Sequence, residues 1–246
     1  MTDSIDFARR ATADELMDTE RVPFEDFRAC LEDLARVNQL TLAYGPTLAF
    51  FERLRARRGW PEDRALRVVD VGSGYGDQLR RVRDWAAARG LRMELTGVDL
   101  NPWSRRAAVE ATAKARGAEG IEWVTADAFA YQPEGGIDVI ISSLFTHHLG
   151  DDALVRFLSW MERTATRAWF VNDLHRHPVP YHFFRHWAKL AGWHRFVQHD
   201  GPLSIARAFS RHDWQRLLGE AGVDRHAVET AWAVPFRWSL SRFKLP

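Results

Sequence analysis

The 246-residue sequence has almost no cysteine and no long hydrophobic run. Its single cysteine, Cys30, excludes an intrachain disulfide framework and a cysteine-based metal cluster. No stretch approaches the roughly 20 apolar residues that a membrane helix needs, and the first residues show no apolar signal core. We therefore expect a cytoplasmic protein with no stable membrane insertion.

The sequence also lacks an excess of charge of either sign. Its 34 basic residues are mixed with 33 acidic ones, which gives a formal net charge of +1. This balance argues against polyanion binding as the main task, so we expect no nucleic-acid partner. Aromatic residues, by contrast, are plentiful, and the 11 Trp and 15 Phe leave room for an aromatic-lined pocket.

The most informative segment is 68–76, where a β-branched run ends in an acid and three closely spaced glycines. The pattern predicts a buried parallel strand that turns into a helix, where α/β sheets bind nucleotide-like ligands. A dinucleotide fingerprint needs G-x-G-x-x-G, but here the third glycine comes one residue early and Asp77 follows it. That carboxylate would repel a pyrophosphate, whereas it would tolerate a ligand that carries an amine and a sulfonium. The spacing therefore disfavours a nicotinamide oxidoreductase.

Three more motifs follow this one along the chain. Residues 95–102 and 124–128 each combine an apolar strand with an acid, and residues 137–149 join an apolar strand to Ser-Leu-Phe-Thr-His-His-Leu. In this order and at βαβ spacing, the four motifs resemble those of the class I S-adenosyl-L-methionine (SAM)-dependent methyltransferases, over about residues 67 to 149. The resemblance implies an enzyme of that type, with SAM as its cofactor.

The alternation of strand and helix patterns predicts an α/β fold with a Rossmann-like, doubly wound, mostly parallel seven-stranded sheet. Residues 1–64 are predicted to be a helical N-terminal cap or, alternatively, a packing layer on the sheet. Residues 65–246 form the predicted SAM-binding domain, with a helical insertion after the fifth strand. The predicted strands are 67–71, 94–98, 121–125, 137–142, 167–172, 227–233 and 237–243, and the predicted helices are 77–89, 103–116, 151–164 and 210–222.

The resemblance implies that the cofactor lies on the glycine turn and the strand ends. Gly72, Gly74 and Gly76 would let the backbone run under the methionine and ribose portions, since glycine permits close approach and positive φ. Asp99 would accept hydrogen bonds from both ribose hydroxyls, although an acid after a strand is often only a helix cap. Asp70 would either order the loop or approach the methionine ammonium group.

Four further positions match the family's cofactor contacts. The resemblance implies that Leu100 packs on the adenine face and that Asp127 accepts a hydrogen bond from the adenine amino group, with the Ala128 backbone beside it. The backbone of Ser143 would meet the methionine amine.

The acceptor side depends on the end of the fourth strand. Family members that methylate ring nitrogens of nucleobases or glutamine amides have [DN]-P-P-[YF] there, and residues 142–145 depart from that pattern. His147 follows, and an imidazole is a suitable base near neutral pH for a phenolic or enolic hydroxyl with a pKa of about 10. His148 either contacts the substrate or caps the next helix.

The fifth strand ends in a second polar group, Asn172, Asp173 and His175. An Asp173–His175 couple would orient an imidazole or hold an acceptor hydroxyl, and Asn172 would contact the substrate. The alternative is that these side chains merely cap the strand. His175 and His177 alternate as metal ligands do, but no third ligand has convincing spacing, so we predict no metal.

Residues 173–209 form a long connection that is too aromatic for a disordered segment. We interpret it as a helical lid over the acceptor, with Phe183, Phe184 and Trp187 as aromatic walls. A membrane-grazing or dimerising helix is the competing interpretation.

The motifs as a whole resemble the small-molecule, ubiquinone-biosynthesis-like branch of the family, and in particular enzymes that accompany type III polyketide synthases. That resemblance favours O-methylation of a phenolic or polyketide-type small molecule, with His147 as base. C-methylation of a quinol or phenol ring follows closely, and a protein or RNA methyltransferase or a non-catalytic SAM-binding regulator is less favoured. The sequence leaves the oligomeric state open.

Overall fold

A seven-stranded mixed sheet organises the chain, in the order β3-β2-β1-β4-β5-β7-β6. The computed structural model describes residues 5–57, 60–115 and 120–244. Strands β1 to β5 run parallel, whereas β7 pairs antiparallel with both β5 and β6. The strands are β1 Leu66–Val71, β2 Met93–Asp99, β3 Ile121–Thr125, β4 Ile137–Ser143, β5 Ala165–Leu174, β6 Val228–Ala233 and β7 Arg237–Phe243.

Helices cover both faces of this sheet and its carboxyl edge. Every predicted strand lies within two residues of an observed one, and the α/β, Rossmann-like architecture is confirmed. Residue 116, the predicted end of one helix, lies outside the described residues. The helices are α1 Leu16–Thr19, α2 Phe24–Leu40, α3 Gly45–Ala56, α4 Asp77–Ala87, α5 Pro102–Lys114, α6 Asp151–Thr164, α7 Pro178–Leu190, α8 Arg195–Arg207 and α9 Arg211–Glu220, with 3₁₀ turns at Thr146–His148 and Arg225–Ala227.

The two long helices before β1, α2 and α3, pack in different places. In α3, Phe50, Phe51 and Leu54 are fully buried, and the Phe50 ring stacks on Phe170 of β5 with centroids 4.8 Å apart. This helix is a packing layer on the sheet. Helix α2 instead crosses the carboxyl edge, where Leu31 packs beside α5. Helix α3 thus packs on the sheet, whereas α2 lies over its carboxyl edge.

The insertion after β5 joins α2 above the same edge. Helices α7 and α8 pack on each other, and α8 contacts both α1 and α2. Their shared apolar cluster includes Cys30 and Val37 from α2, Ala188 from α7 and Phe196 from α8. Helices that precede the first five strands along the chain and helices that follow them therefore form one layer over the strand ends. In the described part of the chain, no helix is long and apolar enough to cross a membrane.

Candidate active site

A cavity of about 1160 Å³ lies between the carboxyl ends of the strands and this helical layer. Small-molecule sites usually measure roughly 300–1,000 Å³. The cavity is therefore large enough for two ligands side by side. One part faces the glycine turn, and the other is enclosed by α2, α7 and α8.

The glycine turn forms the floor of the first part. Gly72, Gly74 and Gly76 have φ values of 72°, 49° and 73°, a region that side chains rarely adopt. A Cβ atom on Gly72 would lie 2.4 Å from the Phe145 ring, and one on Gly76 would lie 2.2 Å from the Trp123 ring. Gly74 has open space before it, so its backbone is exposed to whatever the cavity holds.

Asp99 ends β2 beside that turn and lines the cavity. Its two oxygens accept hydrogen bonds from the backbone N–H groups of Gly74 and Asn101, both at 2.9 Å. A carboxylate has about four lone-pair sites, so each oxygen keeps capacity for a ligand hydroxyl. Burial raises the pKa of Asp99, although the two backbone donors oppose that shift.

Asp70, one residue before the end of β1, is almost completely buried and also lines the cavity. Burial, together with the charges of Asp77 and Asp99, raises the pKa of Asp70 well above its ordinary value. Three carboxylates in one corner are unfavourable to ionise together. A positively charged ligand group would relieve this, whereas an anionic ligand would add to the repulsion.

Asp77, the residue that departs from the dinucleotide fingerprint, ties the helical layer to the turn. Its Oδ2 accepts a hydrogen bond from the Tyr44 hydroxyl at 2.7 Å and another from the Asn38 amide at 3.2 Å. Burial and the neighbouring Asp77 charge raise the pKa of Tyr44, so the phenol remains a donor. The sequence analysis did not single out Tyr44 or Asn38.

The remaining predicted cofactor residues also line the cavity. Leu100 is 74% exposed, which leaves an apolar face uncovered at the strand end. Asp127 accepts a hydrogen bond from the backbone N–H of Phe129 at 3.0 Å, and Ala128 lies between them. Ser143 accepts one from the Asn172 amide at 3.0 Å. Their roles toward a cofactor stay predictions.

In the part of the cavity enclosed by α2, α7 and α8, His147 and Asp173 form a closely hydrogen-bonded pair. The His147 Nδ1 lies 2.7 Å from an Asp173 oxygen, and the backbone N–H of His147 and the Thr146 hydroxyl donate to the other oxygen. Burial opposes ionisation of this acid, but His147 and Thr146 outweigh it and lower the pKa of Asp173. An ionised Asp173 fixes the proton of a neutral imidazole on Nδ1, so Nε2 is the basic nitrogen.

The predicted Asp173–His175 couple is wrong. Asp173 is fully buried under the turn that carries His147, whereas His175 lies beyond β5, and its backbone N–H donates to Phe236 at 2.9 Å. The His175 ring therefore packs on the β6–β7 hairpin, with centroids 5.3 Å from Trp238. Burial and the neighbouring His177 lower the pKa of His175.

Asn172 does not contact the substrate part of the cavity as predicted. Its side chain is completely buried, and the amide donates to the Ala43 carbonyl and to Ser143, both at 3.0 Å. Through these two hydrogen bonds, Asn172 connects the turn between α2 and α3 to β4.

Two acids of the N-terminal segment, Glu15 and Asp18, lie beside the histidines. Asp18 is 2.9 Å from His148 Nδ1, and Glu15 is 4.0 Å from His147 Nε2. Burial opposes the charged form of His148, but the hydrogen bond to Asp18 and the charge of Glu15 raise its pKa. The sequence analysis missed both acids, because more than 120 residues separate them from the histidines.

Glu15, His147 and His148 each offer a ligand atom within 4.8 Å of the others, a spacing that could accept a metal ion. Each group already has protein partners. Glu15 accepts a hydrogen bond from the Ser204 hydroxyl at 2.9 Å and lies 3.8 Å from the guanidinium of Arg207. The Glu15 carboxylate is thus already paired with protein groups, which makes it a less favourable metal ligand.

Helices α2, α7 and α8 supply the walls of the second part. Phe183, Phe184 and Trp187 all line the cavity, and Phe183 lies at its edge with 62% of its surface exposed. The Phe184 and Trp187 rings pack edge to face, with centroids 6.0 Å apart. The other apolar wall residues include Leu31, Leu34 and Val37 of α2 and Phe196, Val197 and Ile205 of α8.

The charged groups of the cavity are nearly all acidic. The carboxylates are Glu15, Asp18, Asp70, Asp77, Asp99, Asp127 and Asp200, and among the described residues that line the cavity the single lysine or arginine is Arg237. Such a lining favours a cationic ligand and disfavours phosphates.

Residues 68–167, from β1 into the start of β5, match the family model described as a methyltransferase domain. No curated protein matches the chain.

Solved structures of methyltransferases share the fold across nearly the whole chain. A SAM-dependent methyltransferase from Aquifex aeolicus has a TM-score of 0.60 and 15% identity, covering 92% of this chain and 100% of that one. The plantazolicin methyltransferase BpumL in complex with SAH has a TM-score of 0.58 and 11% identity, covering 88% and 96%. Magnesium protoporphyrin IX methyltransferase from Synechocystis PCC 6803, with bound SAH, has a TM-score of 0.52 and 15% identity, covering 90% and 87%.

The architecture is thus the class I SAM-dependent methyltransferase fold. The methyltransferase domain over residues 68–167, together with this fold, supports a SAM-dependent methyltransferase that uses SAM as its cofactor.

Proposed function

We propose that the protein O-methylates a phenolic or polyketide-type small molecule, with His147 as general base. The observation that carries the proposal is the buried Asp173–His147 pair, because Asp173 engages Nδ1 and leaves Nε2 as the basic nitrogen of a residue that lines the cavity. A phenol needs such a base because its hydroxyl, with a pKa of about 10, is protonated at neutral pH.

The cofactor would occupy the part of the cavity at the glycine turn. When bound, SAM supplies a methyl group that is already electrophilic because it is attached to a sulfonium. Asp99 would hold the ribose hydroxyls, and the uncovered face of Leu100 would receive the adenine. Asp70 lies where the cationic methionine end of the ligand would be favoured, and Asp127, Ala128 and Ser143 would complete the contacts.

His147 would act through Nε2. Asp173 holds the ring through Nδ1, so the imidazole presents its lone pair without first having to reorient. The acceptor hydroxyl would donate to Nε2 and transfer its proton as the oxygen attacks the methyl carbon. Asp173 on one side and Glu15 on the other would then stabilise the imidazolium.

The nature of the acceptor is inferred from the chamber walls. Aromatic and aliphatic side chains of α2, α7 and α8 suit a largely apolar compound, and the acidic lining disfavours a phosphorylated or polycarboxylate one. These features support the ubiquinone-biosynthesis-like, type III polyketide-associated branch that the sequence resembles. The same base would serve C-methylation, because ionising a phenol also activates the adjacent ring carbons.

Acceptor screening tests the proposal directly. The protein is incubated with SAM and a panel of alkylresorcinols, quinols and simple phenols, and the release of S-adenosylhomocysteine is quantified by mass spectrometry. We expect turnover with hydroxylated aromatic compounds and none with matched compounds whose hydroxyl is already methylated. NMR of a product made from ¹³C-methyl SAM assigns the methyl to oxygen or carbon. Turnover confined to peptides or RNA would contradict the proposal.

Metal removal is expected to leave this activity unchanged. The reason is that Ser204 and Arg207 already satisfy the Glu15 carboxylate, and Asp18 already satisfies His148. The measurement is kcat after exhaustive dialysis against a chelator, with and without added Zn²⁺, Mg²⁺ or Mn²⁺. A chelator-sensitive activity restored by one of these ions would instead assign Glu15, His147 and His148 to a metal.

A further inference from the structure

Helix α7 carries an apolar stripe that no part of the described chain covers. Val179, Phe183 and Leu190 are 56%, 62% and 87% exposed. Their spacing of four and seven residues places all three on one side of the helix. The opposite side is the buried one, where Ala188 is fully enclosed. A surface helix normally turns its apolar side inward, so the exposed stripe requires a reason of its own.

The stripe continues onto two neighbouring turns. Leu42, between α2 and α3, is 63% exposed, and Val234, between β6 and β7, is 64% exposed. The Arg237 guanidinium joins these turns, since it donates to the carbonyls of Thr41 at 2.9 Å and Pro235 at 3.3 Å. We call the exposed apolar set Leu42, Val179, Phe183, Leu190 and Val234 the rim.

Part of the rim lies at the entrance of the acceptor chamber. Val179 and Phe183 line the cavity although more than half of each side chain is exposed, so they lie where the cavity opens. Residues on the other side of the opening, Thr41 and Pro235, line the cavity next to Leu42 and Val234.

The backbone holds part of the rim in an unusual conformation. Leu42 has a φ of 54° and Phe236, two residues after Val234, has a φ of 47°. Non-glycine residues rarely adopt this left-handed region, and such outliers concentrate at functional sites.

The charges of the segment that carries the stripe are of one sign. Residues 174–199 contain no aspartate or glutamate. Arg185 and Lys189 are exposed on α7, one turn apart, on one flank of the stripe. Exposed His182 and His186 lie on the same flank. An apolar stripe bordered by cations is the arrangement of helices that lie on anionic membrane surfaces.

We propose that the rim docks on the surface of an anionic lipid bilayer. The apolar side chains would enter the boundary between headgroups and acyl chains, while Arg185 and Lys189 would meet lipid phosphates. The entrance of the chamber would then face the bilayer, so that an apolar acceptor passes directly from lipid to the site. Bilayer binding depends on the rim alone, and only this route for the acceptor rests on the proposed function.

A second copy of the chain fits the rim less well. Most homodimers are two-fold symmetric, so the same patch of each copy would face itself. In such a dimer, the cationic flank of α7, which carries no acidic residue, would face the same cationic flank of the other copy. An anionic bilayer instead offers complementary charge.

Vesicle sedimentation of the full chain, without SAM or acceptor, tests the proposal. We expect binding to vesicles of equal phosphatidylcholine and phosphatidylglycerol, weak binding to phosphatidylcholine alone, and loss of binding as salt is raised. The double variant Phe183→Ser with Leu190→Ser should bind at least tenfold more weakly. The matched control is Val109→Ser, because Val109 is a 42% exposed residue on α5, outside the rim.

A charge pair of variants completes the design. Arg185→Glu with Lys189→Glu should also lose binding, whereas Lys114→Glu on α5 should keep it, and unchanged SAM affinity will show that each variant is folded. Absence of binding to anionic vesicles, or equal binding by the Phe183→Ser, Leu190→Ser variant, would overturn the proposal. So would light scattering that shows a dimer which this variant dissociates, since the rim would then be a contact between copies. Because no methyl transfer is measured, these outcomes are independent of the enzyme's acceptor.

Discussion

Replacing His147 with alanine is expected to lower kcat by about 10²–10⁴-fold at neutral pH, the usual contribution of a positioned general base. The loss should shrink as the pH is raised, because the acceptor phenol then ionises without help. SAM affinity should remain near that of the wild type, since His147 lies on the acceptor side of the cavity. Steady-state kinetics across pH, together with calorimetry for SAM, measure both quantities.

Two further variants make this result specific. Asp173→Asn should also lower kcat, because an amide no longer holds the imidazole proton on Nδ1 and leaves the basic nitrogen undefined. His212→Ala should change nothing, since His212 is exposed at the start of α9, outside the cavity. If His147→Ala keeps nearly full turnover, or fails only because it no longer binds SAM, then His147 is not the base.

Replacing Asp99 with alanine is expected to weaken SAM binding by about 10- to 150-fold. A hydrogen bond to a charged group contributes about 1.5–3 kcal/mol, and Asp99 lies at the strand end with capacity for ribose hydroxyls on both oxygens. The variant also removes the acceptor for the Gly74 N–H, which loosens the glycine turn in the same direction. Isothermal titration with SAM and with S-adenosylhomocysteine measures the loss.

Glu94→Ala is the matched control for this variant. Glu94 lies near the opposite end of the same strand, and its exposed carboxylate pairs with Arg67. It should bind SAM as the wild type does. Equal SAM affinity in the Asp99 variant would refute the cofactor assignment of the β2 end.

The sheet and the cofactor side could be predicted because their signals are local. A buried parallel strand that ends in an acid can be recognised within about ten residues, and parallel strands bring such ends to one edge. Asp70, Asp99 and Asp127 were found in this way, and the structure places all three on one cavity.

The acceptor side could be predicted only in part, because its contacts join distant segments. His147 was found from its position after β4, but Asp173, which holds its ring, was paired with His175 instead. Asp173 is two residues from His175 and 26 from His147, yet the turn after β4 brings the latter onto it. Glu15 and Asp18 gave no signal at all, since nothing in their local sequence indicates that α1 meets α8 and the histidines.

The two parts of the cavity are built largely from different segments of the chain, and this affects how the acceptor specificity of such enzymes changes. The residues proposed to hold the cofactor all lie within the matched segment 68–167, whereas many apolar wall residues belong to α1, α2, α7 and α8, which lie outside it. Substitutions of those wall residues would reshape the chamber while leaving the residues of the glycine turn and the strand ends in place. On the proposed function, the choice of acceptor would then depend in large part on segments that the family match does not cover. Exchanging those helices between enzymes would be the natural route to a new specificity on an unchanged catalytic core.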